Sequence, residues 1–397
     1  MATFSVRFLG CKVSYADVRA VRERLRADGH AEVEDGGEIA VVNTCCVTHE
    51  AVSKSRHAVS RASRGHRRVY VTGCAANLEG SFRGMPANVT VLAKLGEDAA
   101  DAIAGDVGAI ACVQGAPRQE RTRAFVKIQD GCSFSCAFCV IPLVRGATRS
   151  RRAHAVLEEI RRRVAQGHRE IVLTGVNLGC FRDREAGYTL ERLVREAGSL
   201  PGVERLRLSS IEVNHLEPGL VAALREAPSA TRHLHVPLQS GDDGVLAAMK
   251  RRYRAAQYLA KLDGLDDFNL TTDVIVGFPG EDERAFERTL DVVRSAGITK
   301  VHVFPYSPRP GTATAAADTV PPAVKKERGA RLRTLSEELC RRRWSAKVGT
   351  TDVVLVDRPG RGYGEDYSPW LLEAPVGELV RARAVGLAEE GILAVAA

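Results

Sequence analysis

The sequence predicts an α/β protein in three parts. These are an N-terminal open parallel α/β sheet domain, a central partial (β/α)6 barrel and a small C-terminal antiparallel β-barrel. Short apolar runs alternate with amphipathic helical stretches through most of the 397 residues, the pattern of parallel sheets crossed by helices. A polar, proline-containing stretch without apolar periodicity, Ala116 to Arg123, interrupts that alternation and reads as a linker. After Gly349 the apolar period changes to two, with glycine and proline turns, over the last ~50 residues. The expected boundaries are 1–115, the linker 116–123, 124–345 and 346–397.

In the first part, Phe4 to Leu9 reads as a strand ending at Gly10-Cys11. An amphipathic helix comes next, with Val18, Val21 and Leu25 on one face and Gly29 as its stop. Ile39 to Val42 is a second strand, ending at Asn43-Thr44-Cys45. A basic helix with Lys54, Arg56, Arg61 and Arg64 leads to a third strand, Arg68 to Val71, ending at Gly73-Cys74. Cys11, Cys45 and Cys74 therefore sit just beyond the carboxyl ends of consecutive strands, the edge where open α/β sheets bind ligands. Three thiols on one rim can hold an iron–sulfur cluster with one iron left open. Three buried cysteines that happen to end strands are the bland alternative. Cys46 adjoins Cys45, but consecutive side chains diverge, so Cys45 is taken as the ligand.

In the second part, Phe125 to Gln129 is a strand that delivers Cys132-Ser133-Phe134-Ser135-Cys136-Ala137-Phe138-Cys139. Thiols at i, i+4 and i+7 fit the inside of one tight loop and can bind three corners of an iron–sulfur cube. A structural zinc site needs a fourth ligand, and no Cys or His stands downstream at a suitable short spacing; His154 is the nearest. Later strands are Ile171 to Thr174, Arg205 to Leu208, His233 to Val236, Thr272 to Val276 and Val301 to Phe304. Helical stretches lie between them, such as Val156 to Val164 and the helix begun by Glu217-Pro218. In such a barrel the active site lies at the strand C-termini. Val324 to Lys347 is a basic helix leading out. The tail strands are Asp352 to Val356, Trp370 to Leu372, Glu378 to Arg383 and Ile392 to Val395. Arg381 and Arg383 alternate along one of them, to bind nucleic acid or as a solvated edge.

Hydrophobic residues make up 45% and charged residues 27%, ordinary for a globular protein. The net charge is +8, from 57 Lys and Arg against 49 Asp and Glu, and the pI is near 9.0. Such a balance favours a polyanionic partner. Lys54 to Arg68 and Arg341 to Arg343 concentrate the excess, although either run also suits a solvated helix face. No signal peptide and no run of bilayer length stands out. The ten cysteines then imply metal sites and free thiols in a reducing cytoplasm, not a disulfide framework. Cys112, Cys180 and Cys340 receive no role.

Cys-x-x-x-Cys-x-aromatic-Cys resembles the signature of the radical S-adenosylmethionine (SAM) enzymes. That resemblance implies that the cofactor's amino and carboxylate groups chelate the open iron, and that its S–C bond is cleaved to a 5′-deoxyadenosyl radical. Such chemistry suits a C–H bond that acid–base catalysis cannot activate. The strand ends Thr174-Gly175-Val176-Asn177, Ser209-Ser210-Ile211-Glu212, Gln239-Ser240-Gly241 and Gly277 to Glu281 are the expected cofactor rim. Thr174 and Gly175 present backbone groups to its amino-acid end, and Ser210 and Glu212 reach its ammonium or ribose hydroxyls. Asp273 completes this set. Phe138 packs near the adenine or is a core aromatic.

Three further segments, Leu9-Gly10-Cys11-Lys12-Val13, Asn43-Thr44-Cys45-Cys46-Val47-Thr48 and Thr72-Gly73-Cys74, resemble the N-terminal domain of the radical methylthiotransferases. Lys127 to Cys132, Arg145-Gly146, Arg149-Ser150-Arg151, His233 to Gly241 and Phe304-Pro305-Tyr306-Ser307 match the same family. The resemblance covers essentially the whole chain, and the tail loosely resembles the RNA-binding TRAM module. Lys12-Val13 and Lys127-Ile128-Gln129-Asp130 are most similar to the threonylcarbamoyladenosine tRNA enzymes. Isopentenyladenosine enzymes usually carry glutamine and methionine after that first cysteine, and the ribosomal-protein branch an acidic residue at the place of Arg309. Ser14 stands where many members carry asparagine.

The resemblance implies two four-iron clusters and SAM as cofactors. Cys132, Cys136 and Cys139 would hold the radical-generating cluster, and Cys11, Cys45 and Cys74 an auxiliary cluster that offers sulfur. The implied reaction converts C2–H of a modified adenosine just 3′ of the anticodon into C–SCH3. The expected partners are a tRNA anticodon stem-loop, an external electron donor and a sulfur source, with no membrane, for a cytoplasmic monomer. Arg145, Arg149 and Arg151 are candidate tRNA contacts or surface salt bridges. A non-catalytic iron–sulfur RNA-binding or redox-sensing protein is the alternative of another class.

Overall fold

The computed structural model describes residues 2–109 and 122–397. Most of the expected linker, and Cys112, lie outside the described residues. The chain forms two compact units whose segments interleave. One gathers the N-terminal segment with residues 130–149 and 307–316; the other gathers the strand before the cysteine loop with 150–306 and 317–397.

The first unit is built on a parallel sheet of five strands, in the order Ala31–Glu32, Thr3–Phe8, Ile39–Thr44, Arg68–Gly73, Val89–Val91. The outer two were not expected, because two or three residues are too few for periodicity to register. Ile39–Thr44 is buried along its whole length, as a central parallel strand covered on both faces must be. One face packs Val18, Val21 and Leu25 of the helix Lys12–Ala27 against Phe4, Val41 and Ile103. The other packs Val59 and Ala62 of the helix His49–Gly65 against Val42 and Val71. Register aligns the strand ends: Phe8 pairs with Asn43, and Thr44 with Gly73, so three strands end level with one another. Residues 130–149 belong to this unit because Val140 and Val144, flanking and within the short helix Ile141–Arg145, join the apolar cluster of Val42, Val59 and Val71.

The second unit contains six parallel strands in chain order. Arg123–Lys127, Glu170–Thr174 and Arg205–Leu208 form one three-stranded ladder, and His233–His235, Asn269–Val276 and Ile298–Pro305 form another. The ladders meet where the Ile211 N–H donates to the His235 carbonyl at 2.9 Å, giving the expected partial barrel. The helix Pro322–Ser345 leads to a closed barrel of five strands between Thr351 and Ala396. It is not wholly antiparallel: Trp370 and Ile392 pair in parallel where the barrel closes. Val354, Val356, Trp370 and Ile392 fill it.

This small barrel is fastened to the starts of the central strands by buried charge. Glu170 is fully buried and ion-paired to Arg207 at 2.9 Å, with Arg205 at 3.6 Å and Arg123 at 3.9 Å. The same arginines reach onward: Arg123 to Asp357, Arg205 to the Tyr363 carbonyl and Arg207 to the Glu365 carbonyl. Tyr367 stacks on Tyr363 and lies under Arg123 and Arg207. No described helix is long and apolar enough to cross a membrane.

Candidate functional site: two cysteine triplets

The level strand ends bring Cys11, Cys45 and Cys74 to one edge of the first sheet. Each is set there by a local device. Cys11 precedes the first turn of its helix, and its N–H donates to Ser14 Oγ at 2.9 Å, while that hydroxyl lies 3.8 Å from Cys11 Sγ. This gives Ser14, buried at the third helical position, a role that its sequence context did not disclose. The Cys45 N–H donates to Ser55 Oγ at 3.1 Å. Gly73, at φ +95°, passes so close to the backbone of Thr44 that a side chain there would collide with it.

Electrostatics separate the neighbours Cys45 and Cys46. Burial pushes the Cys45 thiol up, and Cys74 and Cys11 both lie near enough to push it further, with Arg145 opposing. Cys46 lies near Cys74 and Cys45, and its hydrogen bond to Cys74, with burial, pushes its own thiol up. Cys74 is drawn down to about 6 by that hydrogen bond and by Arg145, against burial. Cys45 lies within electrostatic reach of both Cys11 and Cys74, a disposition that fits a cluster held by Cys11, Cys45 and Cys74. The Cys45-Cys46 turn is held from the far end of the chain: buried Arg309 donates to the Cys46 carbonyl at 3.4 Å and to Ser307 Oγ at 2.8 Å.

In the second triplet, all three thiols are half-buried. The Cys132 N–H donates to the Gly146 carbonyl at 3.0 Å, the Phe134 N–H to Cys132 Sγ at 3.4 Å, and the Cys139 N–H to the Cys136 carbonyl at 3.1 Å. Gly131 takes φ +66°, and any side chain there would strike the Ala147 carbonyl oxygen. Among the described residues, no three His, Cys, Asp or Glu side chains converge as ligands of a single ion would. A cubane spreads its ligands over separate irons and needs no such convergence.

Arg145 departs from expectation. Its side chain is 1% exposed, which removes it from any tRNA phosphate. Instead, Nη2 pairs with Asp17 at 2.8 Å, Nη1 with Asp130 at 2.8 Å, and Nε donates to Cys74 Sγ at 3.1 Å. Arg151 is half-buried and donates to the Lys127 carbonyl at 2.8 Å and to Glu159 at 2.6 Å. Arg149 is exposed. Phe138 lies half-buried in the cysteine loop.

Of the expected cofactor residues of the second unit, Thr174, Gly175, Ser210 and Glu212 lie at or just beyond strand C-termini, and Asp273 lies within the strand Asn269–Val276. Thr174 is fully buried, and its Oγ1 has no partner among the described residues. Buried Gln129, which sequence reasoning passed over, accepts the Asn177 N–H at 2.8 Å and lies against Gly175, where a Cβ would crowd it. A buried hydroxyl left open beside a glycine fits a polar ligand end. Ser210 is half-buried. The Glu212 carboxylate accepts from the Asn214 N–H at 3.0 Å and pairs with Arg251 at 3.1 Å. Asp273 lies 3.2 Å from His235 Nε2. Cys180 Sγ lies 3.5 Å from His215 Nε2, a pair without an assigned role.

Comparison with known proteins narrows what this arrangement is. Residues 126–293 match the radical SAM superfamily, and residues 3–90 match the Uncharacterized protein family UPF0004. The chain is 33% identical over 99% of its length, and 96% of the relative's, to a threonylcarbamoyladenosine tRNA methylthiotransferase, MtaB, of Thermotoga maritima. It is 35% identical, over 92% of its length and 84% of the relative's, to a tRNA-2-methylthio-N(6)-dimethylallyladenosine synthase of Sorangium cellulosum. Among solved structures, the radical SAM methyltransferase TsrM of Kitasatospora setae superposes with a TM-score of 0.57 at 14% identity, covering 79% of this chain and 76% of that one, a likeness of fold alone. With relatives at this identity over nearly its full length, the chain belongs to the radical S-adenosylmethionine methylthiotransferase family.

Proposed function

We propose that this protein is a tRNA methylthiotransferase that converts C2–H of N6-threonylcarbamoyladenosine, just 3′ of the anticodon, into C–SCH3. The observation that carries the reading is the meeting of Cys11, Cys45 and Cys74 at one sheet edge, in the same compact unit as the Cys132 loop. Cys132, Cys136 and Cys139 hold one [4Fe–4S] cluster, and Cys11, Cys45 and Cys74 hold the other. With SAM bound, the first cluster would supply a 5′-deoxyadenosyl radical that takes the C2 hydrogen and leaves as 5′-deoxyadenosine, and the second would supply the sulfur, methylated by a second SAM.

The protein's own residues supply position and polarity. The Phe134 N–H and the Arg145 guanidinium donate to ligand sulfurs. The Thr174 hydroxyl and the close approach of Gly175 to Gln129 offer the polar end of SAM its contacts. An unstacked anticodon-loop base is accessible to such a site, whereas a base within an A-form helix is not. Sequence identity does not choose between the two tRNA activities of the relatives. Lys12-Val13 after Cys11 and the match to the Thermotoga relative along almost all of both chains favour threonylcarbamoyladenosine, and Arg309 speaks against the ribosomal-protein branch. A tRNA substrate assigns the work to the cytoplasm.

Nucleoside mass spectrometry of tRNA from a deletion strain tests this. The methylthio form of threonylcarbamoyladenosine should vanish, and the unmethylthiolated form should accumulate. An intact level rejects the assignment, and loss of the methylthio form of isopentenyladenosine instead moves it to the sister activity. Release of 5′-deoxyadenosine under anaerobic reduction separates the enzyme from a mere iron–sulfur RNA-binding protein.

A further inference from the structure

Arg145 is a buried cation of the first unit with three side-chain partners, and these come from three separate parts of the chain. Asp17 lies on the first helix, Asp130 immediately precedes Gly131-Cys132, and Cys74 ends the third long strand. All four residues are buried, with Asp17 at 2%, Arg145 at 3%, Cys74 at 6% and Asp130 at 8% exposure. The Asp130 oxygen that pairs with Arg145 also accepts the Gly131 N–H at 2.8 Å. One guanidinium therefore touches a thiol of one triplet and fixes the backbone at the threshold of the other.

Three-point attachment leaves the guanidinium no freedom to swing away, and its planar fork suits that geometry better than an ammonium. A hydrogen bond to a ligand sulfur withdraws electron density from the metal, and a fixed positive charge stabilises the more negative, reduced state. Both raise the reduction potential of an iron–sulfur cluster. The carboxylate of Asp17 acts in the opposite sense, by neutralising part of that charge across an ion pair that water does not screen.

We propose that Arg145 is a positioning residue that sets the potential of the auxiliary cluster through its N–H···S bond to Cys74, while anchoring the start of the Cys132 loop through Asp130. The inference rests on Cys11, Cys45 and Cys74 being the auxiliary ligands. Arg145 acts through Cys74 and not on the substrate.

The test uses the full-length chain carrying Cys132→Ala, Cys136→Ala and Cys139→Ala, so that only the auxiliary cluster is observed after anaerobic reconstitution. Its midpoint is measured by EPR-monitored redox titration in this parent and with Arg145→Gln, Arg145→Lys or Asp17→Asn added. The expected order, from most negative to most positive midpoint, is Arg145→Gln, Arg145→Lys, parent, Asp17→Asn. General loosening of the site would move the Arg145 and Asp17 variants in the same direction. That result, or midpoints indistinguishable from the parent, overturns the proposal. If Arg145→Gln does not fold with two unpaired buried carboxylates, the nearly isosteric Asp17→Asn and the charge-retaining Arg145→Lys still decide by their opposite signs. A parent that binds no cluster refutes the ligand assignment itself, a failure distinct from a cluster whose potential ignores Arg145.

Discussion

Glu170→Gln is the sharpest test of how the second unit is held together. The carboxylate has no solvent exposure, and three arginines surround it. Burial alone would raise its pKa; Arg207, Arg123 and Arg205 outweigh that and hold it at about 2 against an ordinary 4.5. A shift of that size corresponds to roughly 3 kcal/mol of stability at neutral pH. Removing one partner of a buried ion pair independently suggests ~3–5 kcal/mol, because the remaining charges stay buried and uncompensated. For a unit of this size the melting temperature should fall by about 6–20 °C. Differential scanning calorimetry at pH 7 reads it. The pH dependence has a definite sign. The folded pKa is depressed, so the contribution is complete above about pH 4.5 and is lost as pH falls toward 2. The gap between wild type and Glu170→Gln should therefore close over that window. A variant melting within about 1 °C of wild type at pH 7 would show that the arginines are satisfied without the carboxylate. A gap that stays constant down to pH 2 would show that Glu170 is not ionised in the fold.

Gly131→Ala forces a side chain onto the Ala147 carbonyl at φ +66°, so the chain should bind about four irons instead of about eight and release no 5′-deoxyadenosine; full iron and full cleavage would refute the need for a glycine there. Cys11→Ala should likewise lower iron to about four per chain, but leave SAM cleavage intact; iron assay and 5′-deoxyadenosine release check both. Replacing exposed Arg61, Arg64 and Arg67 with Glu should weaken tRNA binding and flatten its salt dependence by roughly 2–3 units of slope; an unchanged slope in filter binding removes that helix from the tRNA surface.

Strands and cysteine spacings were legible because both are local. Ile39 to Val42 announces itself as an unbroken apolar run, and its end predicts where Cys45 must lie. The edge strands Ala31–Glu32 and Val89–Val91 carry no such run and owe their existence to neighbours already in place. Long-range polar partners were illegible for the same reason. Arg145 lies 128 residues from Asp17 and 71 from Cys74, and nothing in Leu-Val-Arg-Gly reports those contacts. Grouped with Arg149 and Arg151 downstream, it suggested a tRNA contact or a surface salt bridge instead. Arg309, whose difference from the ribosomal-protein branch was visible, gained a physical meaning only when the fold put it on the Cys46 carbonyl. Glu212 illustrates the converse: a strand-end acid with the right address, already paired to Arg251.

The net charge of +8 therefore overstates what the sequence says about a polyanionic partner. Arg123, Arg145, Arg205, Arg207 and Arg309 are turned inward, onto carboxylates, carbonyls or a thiol. Buried cations of this kind fix geometry and local potential, and a substrate cannot reach them. The charge available to RNA is the exposed remainder. In the first unit much of it lies along the helix His49–Gly65 and the turn after it, where Lys54, Arg61, Arg64, Arg67 and Arg68 are all exposed. That helix starts four residues after Cys45, so the segment that delivers an auxiliary thiol also presents the basic face. Phosphate contacts position a nucleic acid without reading its bases. Discrimination between one modified adenosine and another must then come from contacts other than these phosphate contacts.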